Sequence, residues 1–348
     1  MEAMKHAYPD CRLVATFFSP SGYEVLKNDP LCDGIFYLPF ESRRAAKFVI
    51  KCFNPKMAIL IKYDFWYYYL KALHQNQIPV YLCAAQFRKG QRYFKSYASF
   101  HQKFISQFDY YFCQNQESKE LLKSIGIENS IVTGDNRYDR VYQLLQNSEK
   151  LPLIDKFKGD SFLLIAGSSY EVEEELLSYA IENVKHEFKV IIAPHFVDTK
   201  RITTIEKKFG ESAILYSQLY DHTDNIDKKI VIIDSIGLLA KIYRYGNAAL
   251  IGGGFWEKGL HNSLEAATFG MPISFGPKIK RFPEAKELVK EGIAEIVMDK
   301  ISFSNWLNQL LAEPNRCKEV SEKSRKFVSK NVGATQMVLD KIKELNPI

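Results

Sequence analysis

The stretch AALIGGGFWEKGLHNSLEAATFGMPISFGP, residues 248–277, decides how the chain is read. The apolar run Ala248 to Ile251 ends in three glycines. A further glycine, then His261, Asn262 and Glu265, leads into a helical pattern, and Gly276-Pro277 closes the unit. A short apolar run bounded by glycine reads as a buried strand. The glycines after it let the backbone turn sharply and approach a ligand, because no Cβ stands in the way. Strand, glycine turn and helix start, in that order, form the carboxyl end of an α/β unit, where open parallel sheets bind their ligands. Asn262 can cap the following helix, whose free N–H groups favour an anion such as phosphate. Glu265 has two readings. It either folds back onto the Asn262 amide as a capping box, or accepts hydrogen bonds from a ribose diol. Gly270 and Pro272 simply stop the helix. Neither G-x-G-x-x-G nor a Walker loop is present, so dinucleotide and ATP readings lack their fingerprint.

Outward from this stretch the same rhythm continues. Apolar runs RLVATFF, GIFYLP, MAILIK, PVYLCAA, YYFCQN and SIVTG alternate with helical patterns such as SRRAAKFVIKCF and ESKELLKSIG. A second series, SFLLIAGSS, KVIIAPH, SAILYS, KIVIID, AALIGGG, MPISFG and IAEIVM, has helices starting near Glu171, Asp198, Ile236, Asn262, Pro283 and Ser302. Such alternation argues for βα units around parallel sheets. The segment VYQLLQNSEKLPLIDKFKGD breaks it with polar residues and Pro152. The expected organisation is therefore α/β, two Rossmann-like doubly wound domains facing a cleft, with residues 1–147 in the first and 148–348 in the second. The chain opens inside an amphipathic helix, so a first strand and loop are expected upstream of Met1.

Bulk properties fit two globular domains: 348 residues, 46% hydrophobic, 25% charged, with no repeat. A formal net charge of +6 permits an anionic partner without requiring one. Cys11, Cys32, Cys52, Cys83, Cys113 and Cys317 are scattered without C-x-x-C or zinc spacing, as reduced thiols would be. No apolar run reaches the roughly 18 residues of a membrane span, and no signal peptide is evident.

The stretch GGGFWEKGLHNSLEAATFGMPISFGP resembles the signature of the 3-deoxy-D-manno-oct-2-ulosonic acid (Kdo) transferases. That signature is a glycine turn, G-x-H-N-x-L-E-A-A, G-x-P and a G-P turn, with Leu260 here where a glycine often precedes the histidine. FFSPSGYE (17–24), FYLPF (36–40), KYDFWYYYL (62–70), TGDNRYDR (133–140), AGSSYEVEEE (166–175) and IAPH (192–195) agree in order, and KYDFWYYYL is similar to the Bacteroidetes branch. The resemblance runs from Met1 to the C-terminus. It implies a GT-B fold, with an N-terminal acceptor domain, a C-terminal nucleotide domain whose last helices pack back on the first, and transfer of Kdo from CMP-Kdo to the lipid A precursor. It places the work at the cytoplasmic face of the inner membrane of a Gram-negative bacterium.

Residue by residue, the resemblance sets Gly253, Gly254, Asn262 and Glu265 around CMP, with Glu265 on the ribose. His261, Lys258 and Ser168 would rim that donor site, and His195 would lie near the nucleotide. Relatives often carry Arg-His after the proline where this chain has only His195, so Lys258 or Arg137 would supply the missing phosphate cation. The alternative for His195 is a satisfied histidine at a strand end. Arg137 suits an oxyanion, while Asp139 would pair with Arg137 or Arg140. The acids of AGSSYEVEEE are explained by the helix dipole. On the acceptor side stand Ser19, Ser21 and Gly22, an anion cradle or an N-cap, together with Asp64 and Arg88. In QFRKGQRYFKSYASFHQKF (86–104) Arg88, Lys89, Arg92, Lys95 and Lys103 interleave with aromatics, which fits anionic headgroups. Nucleic acid is the weaker reading, for want of a binding motif.

The family's proposed base is a glutamate in a Ser-x-Gly-Glu turn behind a membrane anchor. It is expected upstream of Met1, leaving this chain's activity in question. Inverting, metal-independent displacement without a cofactor is the expected chemistry. A UDP-sugar GT-B enzyme and a non-catalytic lipid A or membrane binder are the alternatives.

Overall fold

The computed structural model describes residues 1–95, 97, 99–147, 149–221, 227–256 and 259–346, apart from the side chains of Ser21, Asn147 and Asp221. The chain divides into two compact units: Met1–Asp139 with Asn331–Ile348, and Arg140–Lys330.

In the first unit, β1 (Val14–Phe17) and β2 (Gly34–Tyr37) form a two-stranded parallel sheet. The second sheet has β3 (Ala58–Ile61), β4 (Val80–Ala85), β5 (Tyr110–Cys113) and β6 (Ser130–Val132) side by side in chain order, all parallel. β4 is buried at every residue, which is why VYLCAA reads as one apolar run rather than an alternation. The last helix, Ala334–Leu345, sets Val338 and Ile342 against Tyr81, Cys83 and Phe112 of this sheet.

The second unit holds β7 (Leu163–Ser169), β8 (Lys189–Pro194), β9 (Ala213–Leu215), β10 (Ile230–Ile232), β11 (Ala248–Ile251), β12 (Ile273–Phe275) and β13 (Ala294–Ile296). They make one parallel sheet in the order β13-β12-β11-β7-β8-β10-β9. Leu164, Val190, Ile230 and Leu250 of the sheet pack with Leu177 and Ala180 of helix Glu171–Asn183 and with Phe303 and Leu307 of helix Lys300–Ala312. From β7 the chain winds outward through β8 to β9 and β10, then returns to β11 on the other side of β7. The order reverses between β7 and β11, and loops leaving their carboxyl ends part there to leave a crevice.

The structure differs from the sequence reading at four points. The unit boundary falls at Asp139/Arg140 instead of 147/148. The segment VYQLLQNSEKLPLIDKFKGD, which breaks the βα rhythm, contains helix Pro152–Lys158, whose Ile154 and Phe157 are fully buried. Among the described residues Asp139 forms no ion pair with an arginine. Its carboxylate accepts the backbone N–H groups of Gly333 at 2.5 Å and Thr335 at 2.7 Å, tying down the start of the last helix. The helix expected near Ile236 is only Leu239–Ile242.

Candidate functional site

Loops from β7, β8, β11 and β12 meet at the carboxyl edge of the second unit's sheet. Ser168, one residue before the end of β7, has φ at 53°, a left-handed conformation unusual outside glycine. Gly252 lies directly on it: a Cβ at Gly252 would strike the Ser168 carbonyl oxygen. Gly253 has φ at 85°, and a Cβ on Gly254 would stand 2.5 Å from the Gly276 nitrogen. The Lys278 amide donates to Gly254 O at 2.7 Å, so the loop after β12 braces the turn from the far side. The glycines are required by contact between backbones.

Glu173 braces the near side. Its side chain is wholly buried; Oε2 accepts the Tyr170 N–H at 3.0 Å and Oε1 accepts the Gly253 N–H at 2.9 Å. Burial pushes its carboxyl up, and the backbone donors and Arg201 oppose that rise. The helix-dipole account of AGSSYEVEEE missed this residue. A signal was present, because helical spacing puts Glu173 and Glu174 on the face that buries Leu177 and Ala180.

Above the turn, His261 donates its backbone N–H to Gly252 O at 3.1 Å, and its Nε2 shares a 3.0 Å hydrogen bond with the Tyr170 hydroxyl. His195, beyond β8, lies 4.5 Å from the His261 ring centre and 5.0 Å from that of Tyr170. Desolvation lowers the pKa of both histidines below the ordinary 6.5, and the neighbouring His195 lowers His261 further. Folded histidines that resist protonation bind fewer protons than unfolded ones just below pH 6.5. Their stabilising contribution is therefore present above that value and is lost as pH falls through the folded values. In an NMR titration the His261 ring is expected to titrate below 6.5; a midpoint at or above 6.5 would contradict the buried, paired geometry.

Asn262 and Glu265 meet, but not as expected. The helix is Leu264–Thr268, five residues, with Ser263 at its N-cap. Asn262 Oδ1 accepts the Leu264 N–H at 3.1 Å, and Asn262 Nδ2 donates to Glu265 Oε1 at 2.9 Å. No capping box forms, and so short a helix supplies little macrodipole for an anion. What results is a carboxylate aimed by an amide. Burial raises the Glu265 carboxyl, while the Asn262 hydrogen bond and the Arg140 charge lower it. Lys258 and the Ser21 side chain lie outside the described residues.

In the first unit the expected residues follow β1, β3, β4 and β6. Ser19 precedes helix Pro20–Leu26 without capping it by its side chain, and a Cβ on Gly22 would stand 2.8 Å from the Phe17 ring. Packing against Phe17 is by itself a reason for glycine at position 22. Arg137 belongs to this unit and binds Asp135 through Nε at 2.9 Å and Nη2 at 2.6 Å, so it is an ion-paired cation. Asp64 reaches solvent, yet the protein around it desolvates the carboxyl and raises its pKa. Arg88 is exposed, its amide donating to Gln91 Oε1 at 3.0 Å. The interleaved aromatics divide: Phe87 and Phe104 are core residues around Phe65, whereas Tyr97 and Phe100 are 81% and 62% exposed. Among the described residues no group of three or more His, Cys, Asp or Glu side chains could hold a metal ion. No described helix is long and apolar enough to cross a membrane.

Two α/β units, the second a seven-stranded sheet with its loops gathered at the switch point, define the GT-B fold. A solved structure of UDP-GlcNAc 2-epimerase from Neisseria meningitidis, bound to UDP-GlcNAc, shares it with a TM-score of 0.67 at 16% identity, covering 99% of this chain and 96% of that one. Residues 1–140 match the family model described as 3-deoxy-D-manno-octulosonic-acid transferase. The 3-deoxy-D-manno-octulosonic acid transferase of Aquifex aeolicus is 27% identical over 330 residues, 93% of this chain and 85% of that protein. The enzyme of the same name from Haemophilus influenzae is 25% identical over 360 residues, 98% and 82% of the two chains. The chain is thus similar to Kdo transferases along nearly its whole length, a likeness that supports a glycosyltransferase.

Proposed function

We propose that the protein transfers Kdo from CMP-Kdo to the lipid A precursor, at the cytoplasmic face of the inner membrane. The observation that carries the reading is the Asn262–Glu265 pair beside the glycine turn, in a chain whose relatives transfer Kdo along nearly its whole length. Glu265 accepts the ribose hydroxyls. The braced turn of Gly253 and Gly254 is the protein backbone beside which CMP lies, and His195 and His261 wall the site with neutral rings that can donate to an oxyanion. The acceptor hydroxyl attacks the anomeric carbon from the face opposite the phosphate, giving inversion. As the C–O bond to CMP breaks, the hydrogen-bond donors of the loops stabilise the leaving phosphate. The reaction needs no metal or cofactor on this reading. Among the described residues, none is assigned as the base. Exposed Arg88, Lys89, Arg92, Lys95 and Lys103, with Tyr97 and Phe100, support peripheral contact with an anionic membrane carrying the acceptor.

Titration with CMP and with UDP tests the donor. CMP is expected to bind the more tightly, and a preference for UDP would replace this reading by a UDP-sugar transferase. Glu265→Gln keeps one acceptor but loses the charge, and is expected to weaken CMP about tenfold. Unchanged CMP affinity would return Glu265 to a purely structural role.

A further inference from the structure

We propose that Glu173 is a positioning residue of the donor site, its buried carboxylate holding the glycine turn after β11 against the loop after β7. The inference rests on the CMP-Kdo reading for the identity of the ligand, and on the geometry alone for the clamp itself. An acid in the first turn of a helix ordinarily faces water, where the dipole rewards it. Glu173 instead has no exposed surface. A carboxylate is costly to bury unless its oxygens are hydrogen-bonded. One oxygen takes the Tyr170 N–H three residues back, which is the capping half of its work. The other takes the Gly253 N–H, eighty residues along the chain.

That second bond is what a cap does not need. It fixes the amide of a residue with φ at 85°, one position before Gly254. The Gly254 carbonyl is held in turn by the Lys278 amide, and the Gly252 carbonyl by the His261 amide. Through Tyr170 the same carboxylate sets the residue whose hydroxyl meets His261 Nε2. Glu173 therefore registers three loops to one another without itself lining the pocket. A glutamine cannot replace it. Its carboxamide offers one acceptor and one donor where two N–H groups converge, so one of the loops must be released.

Glu174, the next residue, supplies the control. It is equally buried but bonds the Arg201 guanidinium and the Ser169 hydroxyl, and among the described residues it makes no hydrogen bond to an amide of the glycine turn. The full chain is compared with Glu173→Gln, Glu173→Asp and Glu174→Gln by CMP titration, thermal unfolding and amide hydrogen exchange without ligand. Glu173→Gln is expected to weaken CMP about tenfold and to speed exchange at Gly253 and Gly254, whereas Glu174→Gln lowers the unfolding temperature with CMP affinity kept within about twofold. Glu173→Asp, too short to span both amides, should reproduce the exchange and affinity changes even if the glutamine variant does not fold. In turnover, the loss should appear in KM for CMP-Kdo with KM for the acceptor unchanged. Wild-type CMP affinity in Glu173→Gln, or losses that merely follow stability in both glutamine variants, would overturn the proposal. If the wild-type chain binds no CMP, the donor reading fails, and the exchange measurement alone then decides: unchanged protection at Gly253 refutes the clamp, and faster exchange upholds it.

Discussion

Gly252→Ala is expected to cost about 3 kcal/mol of folding stability, the upper part of the range for overpacking, and to abolish CMP binding. The added Cβ would run into the Ser168 carbonyl oxygen, with the Ser168 carbonyl carbon at 2.7 Å and Ser169 Cα at 3.0 Å. Every one of these atoms is backbone, so no side chain can swing aside. Gly252 also donates its N–H to Gly167 O at 2.9 Å and accepts from the His261 amide at 3.1 Å, which pins it within the sheet. Relief must come from parting β7 from β11, and the loops that part are those carrying Ser168, Tyr170 and His261. Gly90→Ala, where nothing lies within 4 Å, is the neutral comparison. Urea unfolding followed by circular dichroism measures both, and a wild-type midpoint for Gly252→Ala would show that the loops are not in the contact described.

The strands were legible because parallel strands in a covered sheet are continuous apolar runs: each of the thirteen among the described residues lies within such a run, even β1 to β3, which are only partly buried. The position of the site was legible too, since glycine, histidine, asparagine and glutamate follow β11 in the order a strand-to-helix loop requires. Local hydrogen-bond choices were not. Asn262 and Ser263 are both good caps, and nothing in their order reveals that Asn262 turns onto Leu264 while Ser263 takes the N-cap. Spacing suggested Arg137 for an oxyanion but gave no sign that its guanidinium also binds Asp135, two residues away. The acids Glu171, Glu173 and Glu174 are alike to the dipole argument. Burial sorts them: Glu171 is exposed, Glu173 meets a glycine amide eighty residues on, and Glu174 meets Arg201 from the next helix. Those partners are tertiary, and sequence spacing carries no record of them. In the first unit, aromatic spacing over 86–104 suggested a surface, whereas Phe87 and Phe104 belong to the core.

Arg201→Met is expected to destabilise the protein by about 3–5 kcal/mol, the usual result of removing one member of a buried ion pair. Arg201 Nη2 lies 2.5 Å from Glu174 Oε1, and their side chains are 13% and 2% exposed. Glu171 adds a longer contact of 3.5 Å from the solvent side. Without the guanidinium, Glu174 keeps, among the described residues, the Ser169 hydroxyl at 3.2 Å and the charge of Lys208. Burial already raises this carboxyl above its ordinary 4.5, and Arg201 is the largest influence opposing the rise. The variant must therefore raise it further, which fixes the pH dependence. A carboxyl with a raised folded pKa contributes its stability below the unfolded value of 4.5 and loses it as pH rises through the folded value. The deficit of Arg201→Met should thus be greatest near neutral pH and shrink as Glu174 takes up its proton toward pH 4.5. Adding Glu174→Gln to Arg201→Met should recover part of the loss at pH 7, because the uncompensated charge is then gone. Urea unfolding of the single and double variants at pH 7 and pH 4.5 separates the outcomes. A pH-independent deficit, or a double variant weaker than the single one, would mean that Arg201 acts by filling space, since lost packing does not titrate.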